Sequence, residues 1–190
     1  MRRPRPATIL TLAAAVAGLS ACGAQPPPTP DTATPQPPRG TVTVRLPAAG
    51  LRLRAPRAWT RATGPEPAIL QLSSGRAAVT LWRYPRSEPL PRTAKQLRQA
   101  ETDLLAATKA RDPTFRRGVL RRTRVDGKPA LLVTGTATVA GVPRAVRSTH
   151  VYAHGAELVV DALAEPAQLP RVVREVVRPL LGSLTWSAVR

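Results

Sequence analysis

The spacing of apolar residues changes along the chain, and the changes predict its elements. Ile9 to Leu19 is a short apolar run behind Arg2, Arg3 and Arg5. Residues 23–40, GAQPPPTPDTATPQPPRG, show no apolar period at all. From Thr41 the pattern alternates. Val42, Val44 and Leu46 share one side, and Thr41, Thr43 and Arg45 the other, which is the period of a strand. Pro47 to Gly50 is a turn signal, and Leu51 and Leu53 then alternate with Arg52 and Arg54, predicting a hairpin with a basic outer face. Ile69–Leu72 and Ala77–Tyr84 read as strands joined through Ser73-Ser74-Gly75, with Pro85 ending the second.

The period then lengthens. Leu97, Ala100, Leu104 and Ala107, joined by Leu105, predict one apolar stripe of a helix over 93–111, with Thr93 as its N-cap and Asp112-Pro113 as its stop. Phe115–Val125 is a basic strand ending at the turn dipeptide Asp126-Gly127. Ala130–Val139 places Leu131, Val133, Ala137 and Val139 on one face and three threonines on the other. Val142–Ala153 and Glu157–Ala164 pair around His154-Gly155. Leu169, Val173, Val176, Val177, Leu180 and Leu184 recur at helical spacing and predict a closing helix over about 167–181, which Pro179 should kink or shorten. Short turns between closely spaced strands give an antiparallel sheet, so the expected class is α+β, with a twisted antiparallel sheet flanked by two main helices.

The amino-terminal pattern changes the picture from fold to address. A membrane span needs roughly 20 apolar residues, and this run is shorter. A basic start, a short apolar run and small residues before a cysteine have the order of an export signal. Leu19-Ser20-Ala21-Cys22 resembles the bacterial lipobox. That resemblance implies cleavage between Ala21 and Cys22 and a diacylglycerol thioether on Cys22. The expected organisation is a signal peptide over 1–21, a lipidated cysteine and Pro/Thr-rich linker over 22–40, and one α+β domain over 41–190. The localisation that follows is the extracytoplasmic face of the cell membrane, lipid-anchored. Cys22 is the sole cysteine in the 190 residues, so no intrachain disulfide forms. The proline-rich stretch reads as a semi-rigid spacer of about 3.1 Å per residue in extended polyproline form.

Composition adds two points. With 3% aromatic residues, the core must be aliphatic. The formal charge is +18, of which three charges leave with Arg2, Arg3 and Arg5. An export signal removes the protein from nucleic acid, so that charge is read as attraction to anionic head groups or wall polymers, not to DNA or RNA.

Candidate chemistry is sparse. His150 and His154 are the two histidines, and strand alternation puts both on one face with Tyr152. Glu157 or Asp161 would have to complete a metal site, and this spacing is no zinc signature, so the face is read as polar and hydrogen-bonded with no metal. No G-x-S-x-G elbow or phosphate loop occurs; Gly182-Ser183 lies at a helix end, and Ser73-Ser74-Gly75 is a turn. No catalytic residue and no cofactor are expected. Arg116, Arg117, Arg121, Arg122 and Arg124 form the densest basic run. It reads either as a docking strip for anionic lipid or glycan, or as a charged strand edge that prevents aggregation.

Four stretches carry a family resemblance: LRLRAPRAW, VDGKPALLVTGTATVAG, HVYAHGAELVVDALA and the terminal LLGSLTW. With the lipobox and the spacer, the chain resembles actinobacterial lipoproteins of the LpqN type, with a Mog1/PsbP-like fold. The resemblance implies a sheet between helices and a non-catalytic binding or assembly role without cofactor. The function expected is therefore an envelope binding or adaptor lipoprotein. A lipid or glycolipid carrier with an apolar pocket is the alternative, and a hydrolase a more distant one.

Overall fold

The computed structural model describes residues 33–64 and 66–186. The expected signal peptide over 1–21, its expected cleavage after Ala21 and the expected lipidation of Cys22 lie outside the described residues. The strands are β1 (Thr41–Leu46), β2 (Leu51–Pro56), β3 (Thr60–Ala62), β4 (Ala68–Ser74), β5 (Ala77–Pro85), β6 (Arg116–Val125), β7 (Lys128–Val139), β8 (Val142–Ala153), β9 (Ala156–Ala164) and β10 (Thr185–Trp186). Helix α1 spans Ala94–Arg111 between β5 and β6. Leu169–Val172, Val173–Val177 and Arg178–Gly182 follow one another without a break and form α2.

β3-β4-β5-β9-β8-β7-β6 make a seven-stranded antiparallel sheet. Three of its hairpins turn on a two-residue X-Gly pair with both φ angles positive: Asp126-Gly127, Ala140-Gly141 and His154-Gly155. Such turns match the right-handed twist of the flanking strands and fix the register. β1, β2 and β10 form a separate three-stranded sheet. The opening hairpin therefore joins the end of the chain, and Ser183 Oγ reinforces that join by accepting from Arg54 N–H at 2.8 Å.

The core lies between one face of the large sheet and α2 with β2. Leu53, Leu72, Leu81, Leu158 and Leu180 are fully buried there, beside Val79, Val160 and Val177. Each contributes roughly 1.5–3 kcal/mol relative to exposure. The core is aliphatic except for Trp59, as the composition requires.

Pro179 does not end α2. The turn ahead of it widens to a π-helix, and Arg178 N–H reaches the carbonyl of Val173. Proline has no N–H to give and its ring crowds the carbonyl four residues back; a widened turn relieves both. Leu180 and Leu181 are thereby kept on the buried side.

Residues 33–40 were read as spacer, yet they are held on the domain. Gln36 carbonyl accepts from the buried Trp59 indole at 2.9 Å, and Gln36 N–H donates to Ser74 Oγ at 2.9 Å. Arg76 N–H donates to Ala33 carbonyl at 2.9 Å, and Ala58 N–H to Pro38 carbonyl at 3.2 Å. These bonds lie beyond the reach of a composition argument, because their partners are far along the chain, as Gln36 and Ser74 or Ala33 and Arg76 are. Among the described residues no helix is long and apolar enough to cross a membrane.

Candidate functional site: the cleft beneath the first helix

Strand register assigns the second face of the large sheet residue by residue. Tyr84, Glu157 and Tyr152 form one row, and Trp82, Val159, His150 and Leu131 the next. Thr80, Asp161, Ser148 and Val133 form a third. This face is covered by α1 and not by the core helix.

α1 covers it loosely. A complete capping box starts the helix: Gln96 N–H donates to Thr93 Oγ1, and Thr93 N–H donates to Gln96 Oε1. At the other end Asp112 Oδ1 accepts from Thr114 N–H and Oγ1–H at 2.8 and 2.6 Å, and Thr138 N–H of β7 donates to Thr114 Oγ1. The Thr114 bonds, opposed by a little desolvation, hold the Asp112 carboxyl below its ordinary range. Arg122 of β6 pairs with Glu101 of α1 at 3.1 Å. Yet none of the 18 residues of α1 is buried. Leu97, Ala100 and Leu104 of the expected stripe are only half-buried, and Ala107 is exposed.

Space remains between helix and sheet. Under the first half of α1 lies a cavity of about 440 Å³ lined by Leu90, Ala100, Leu104, Tyr152, Glu157 and Arg86, among others. Under its last turn lies another of about 330 Å³, with Trp82, Phe115, Val133, Val146, His150 and Asp161 in its walls. Phe115 is seated on Gly135: a Cβ there would meet the Phe115 ring at 2.6 Å and the Arg116 carbonyl at 2.5 Å. Trp82 Nε1–H is buried and has no acceptor.

The floor between the cavities is polar. His150 Nδ1 lies 2.7 Å from Glu157 Oε1, and His150 Nε2 lies 2.9 Å from Ser148 Oγ. Ser148 Oγ–H donates to Asp161 Oδ1, and Arg86 donates to Glu157 Oε2. His150 thus bridges the Glu157 carboxylate and the Ser148 hydroxyl, whose own hydrogen goes to Asp161. Burial pushes the Glu157 carboxyl up, but the bonds from His150 and Arg86 outweigh it and hold it below the ordinary range. Burial raises the Tyr152 phenol well above its ordinary value.

Hydroxyl, imidazole and carboxylate in this order are the parts of a serine nucleophile. Here the hydroxyl proton is committed to Asp161. Ser148 also sits mid-strand between β7 and β9, where backbone N–H groups are used in the ladders and not left to stabilise an oxyanion. The arrangement can hold and pass a proton, and it can offer hydrogen bonds to a bound polar group.

The sequence-predicted residues fare differently. His150 and Tyr152 share the cleft face as expected. His154 does not: it is the first turn residue, with φ of 48°, and its ring stacks on Trp186 at 5.0 Å. A two-residue turn takes its residues out of strand alternation, so even spacing misplaces it. Among the described residues no three His, Cys, Asp or Glu side chains stand close enough to share a metal ion. Ser148 and Arg86 were not singled out from sequence. The signal was present, because a two-residue turn at His154-Gly155 fixes Ser148 opposite Asp161.

The basic run does not form one strip. Alternation and a bulge between Arg117 and Leu120 put Arg117, Arg122 and Arg124 on the α1 side and Arg116 and Arg121 on the α2 side. Arg122 is paired with Glu101, Arg124 donates to Gly127 carbonyl and Arg116 to Pro113 carbonyl.

The architecture is α+β of the PsbP-like kind: a large antiparallel sheet with a helix on each face. Among solved structures, the chain is similar to cyanobacterial PsbP (CyanoP) from Synechocystis, with a TM-score of 0.57 and 10% identity over 88% of this chain and 98% of that one. It is also similar to LpqN, involved in cell envelope biogenesis of Mycobacterium tuberculosis, with a TM-score of 0.54 and 16% identity over 78% of this chain and 91% of that one. No family model and no curated protein sequence matches the chain.

Proposed function

We propose that this chain is a lipid-anchored, extracytoplasmic binding protein of the cell envelope, non-catalytic, of the LpqN type, and that its ligand seat is the cleft beneath α1. The observation that carries the reading is that cleft. An 18-residue helix fastened at both ends buries none of its residues, and cavities of about 440 and 330 Å³ separate it from the sheet. Small-molecule sites run from about 300 to 1,000 Å³ and combine apolar walls with a few polar groups. Leu90, Leu104, Phe115 and Val146 supply such walls; Ser148, His150 and Trp82 Nε1–H supply polar contacts. This favours an amphipathic envelope molecule, a lipid or glycolipid, over a flat protein-docking surface. Anchoring rests on the lipobox and Cys22, and two acyl chains at about 0.8 kcal/mol per buried methylene hold a protein stably at the bilayer.

The test uses the full chain expressed in its own membrane. Cys22→Ala should abolish labelling by a radiolabelled fatty acid; persistent labelling contradicts the anchor. Ala100→Trp, which fills the larger cavity from the helix side, should remove a lipid that co-purifies with the wild type while leaving the circular dichroism unchanged. A lipid content equal in both proteins contradicts the cleft.

A further inference from the structure

On the opposite face of the sheet the fold assembles a basic cluster that no stretch of sequence shows. Arg147 of β8 pairs in register with the fully buried Ala162, so its side chain leaves the sheet on the core side. Arg121 of β6 faces the same side, because its partner Leu132 stands opposite Thr149, two residues beyond Arg147 on β8. Arg178 of α2 and Arg121 both stand near enough to repel the Arg147 charge. Among the described residues, no carboxylate pairs with Arg121, Arg147 or Arg178. Two buried polar atoms in this region lack partners: Arg147 Nε and Thr149 Oγ1. Burial first, and the two neighbouring arginines next, lower the affinity of Arg147 for its proton.

Three cations from three elements around a buried, unused guanidinium N–H are costly in isolation. An oxyanion between them would offset both repulsions with attraction. It would accept from the exposed end of the Arg147 guanidinium, share charge with Arg121 and Arg178, and match the planar fork. We propose that Arg121, Arg147 and Arg178 form a binding site for a phosphoryl oxyanion, with the half-buried Arg147 as its central donor. The ligand is a phosphate monoester or diester, whether free or in a lipid head group. The site is separate from the cleft, on the other side of the sheet, and stands or falls independently of it.

The test titrates the detergent-purified full chain with inorganic phosphate at constant ionic strength by calorimetry. The wild type should bind. Arg147→Gln should weaken binding about tenfold or more, as loss of a charge-assisted bond implies. Arg45→Gln, on the exposed side of β1, should change it less than about twofold. Without phosphate, Arg147→Gln should melt no lower than the wild type, because it removes a repelled cation; a merely structural arginine would lower the midpoint. Should Arg147→Gln fail to fold, the exposed Arg121→Gln and Arg178→Gln must each weaken phosphate. Vesicles of phosphatidylglycerol in phosphatidylcholine distinguish the sources. Binding that is competed by phosphate and lost in the variant supports a head group, and phosphate binding without vesicle binding supports a free ligand. No phosphate binding by the wild type, or equal binding by the variants, overturns the site.

Discussion

Replacing Glu157 by Gln tests whether the cleft floor is a connected network. Glu157 is 5% exposed and accepts from His150 Nδ1 at 2.7 Å and from Arg86. A hydrogen bond to a charged group contributes about 1.5–3 kcal/mol when buried. The Arg86 side chain is 51% exposed, so its share falls towards the roughly 0–1 kcal/mol of a surface pair. Gln keeps one acceptor, so the expected loss is about 2–3 kcal/mol, short of the roughly 3–5 for leaving a buried charge fully unpaired. The assay is urea unfolding at a series of pH values. Glu157 titrates below its ordinary 4.5 in the folded protein, so its stabilisation is complete above that value and fades as pH falls through the lower folded one. The difference between wild type and Glu157→Gln should therefore be flat from pH 7 to about 5.5 and shrink below about 4.5. A loss under about 0.5 kcal/mol at pH 7, the range of an ordinary surface change, would refute the network.

Three further outcomes follow from the same contacts. Leu180→Ala, at a fully buried α2 position, should cost about 2–5 kcal/mol in chemical denaturation, since the helix cannot close the void. Trp59→Phe keeps most of the buried ring but loses the bond to Gln36, so it should cost about 1 kcal/mol and speed proteolysis within residues 33–40. Thr93→Ala removes the N-cap of α1 and should cost about 0.5–2 kcal/mol. Because α1 buries no residue, that change should raise amide exchange in α1 far more than in β8 or β9.

Alternation made most strands legible. Val42, Val44 and Leu46 do face inwards, and Leu131 and Val133 do share a face. The turn dipeptides Asp126-Gly127 and His154-Gly155 located two hairpins, where both positions take positive φ. Capping chemistry located Thr93. What periodicity could not show was which face each helix covers or how tightly. The stripe of α1 is short in bulk, with Ala at positions 100 and 107, and it rests over polar rows of the sheet. A small stripe over a polar floor leaves space, and a pattern of apolar positions carries no gap widths. Non-local pairings were equally invisible: Arg86 with Glu157, Trp59 with Gln36, and Arg147 with Arg121 and Arg178. The run from Arg116 to Arg124 looked like one feature in sequence, and strand geometry divides it between two faces.

The most direct test of the account is photo-crosslinking in living cells from a benzophenone amino acid placed at Leu104, in the wall of the larger cavity, with the exposed Arg98 as the comparison position. Intact-mass and peptide analysis would identify each adduct. A lipid or glycolipid adduct is expected at position 104 and not at position 98. Protein adducts at both positions, with no lipid at 104, would contradict a ligand seat beneath α1 and make the helix a docking surface.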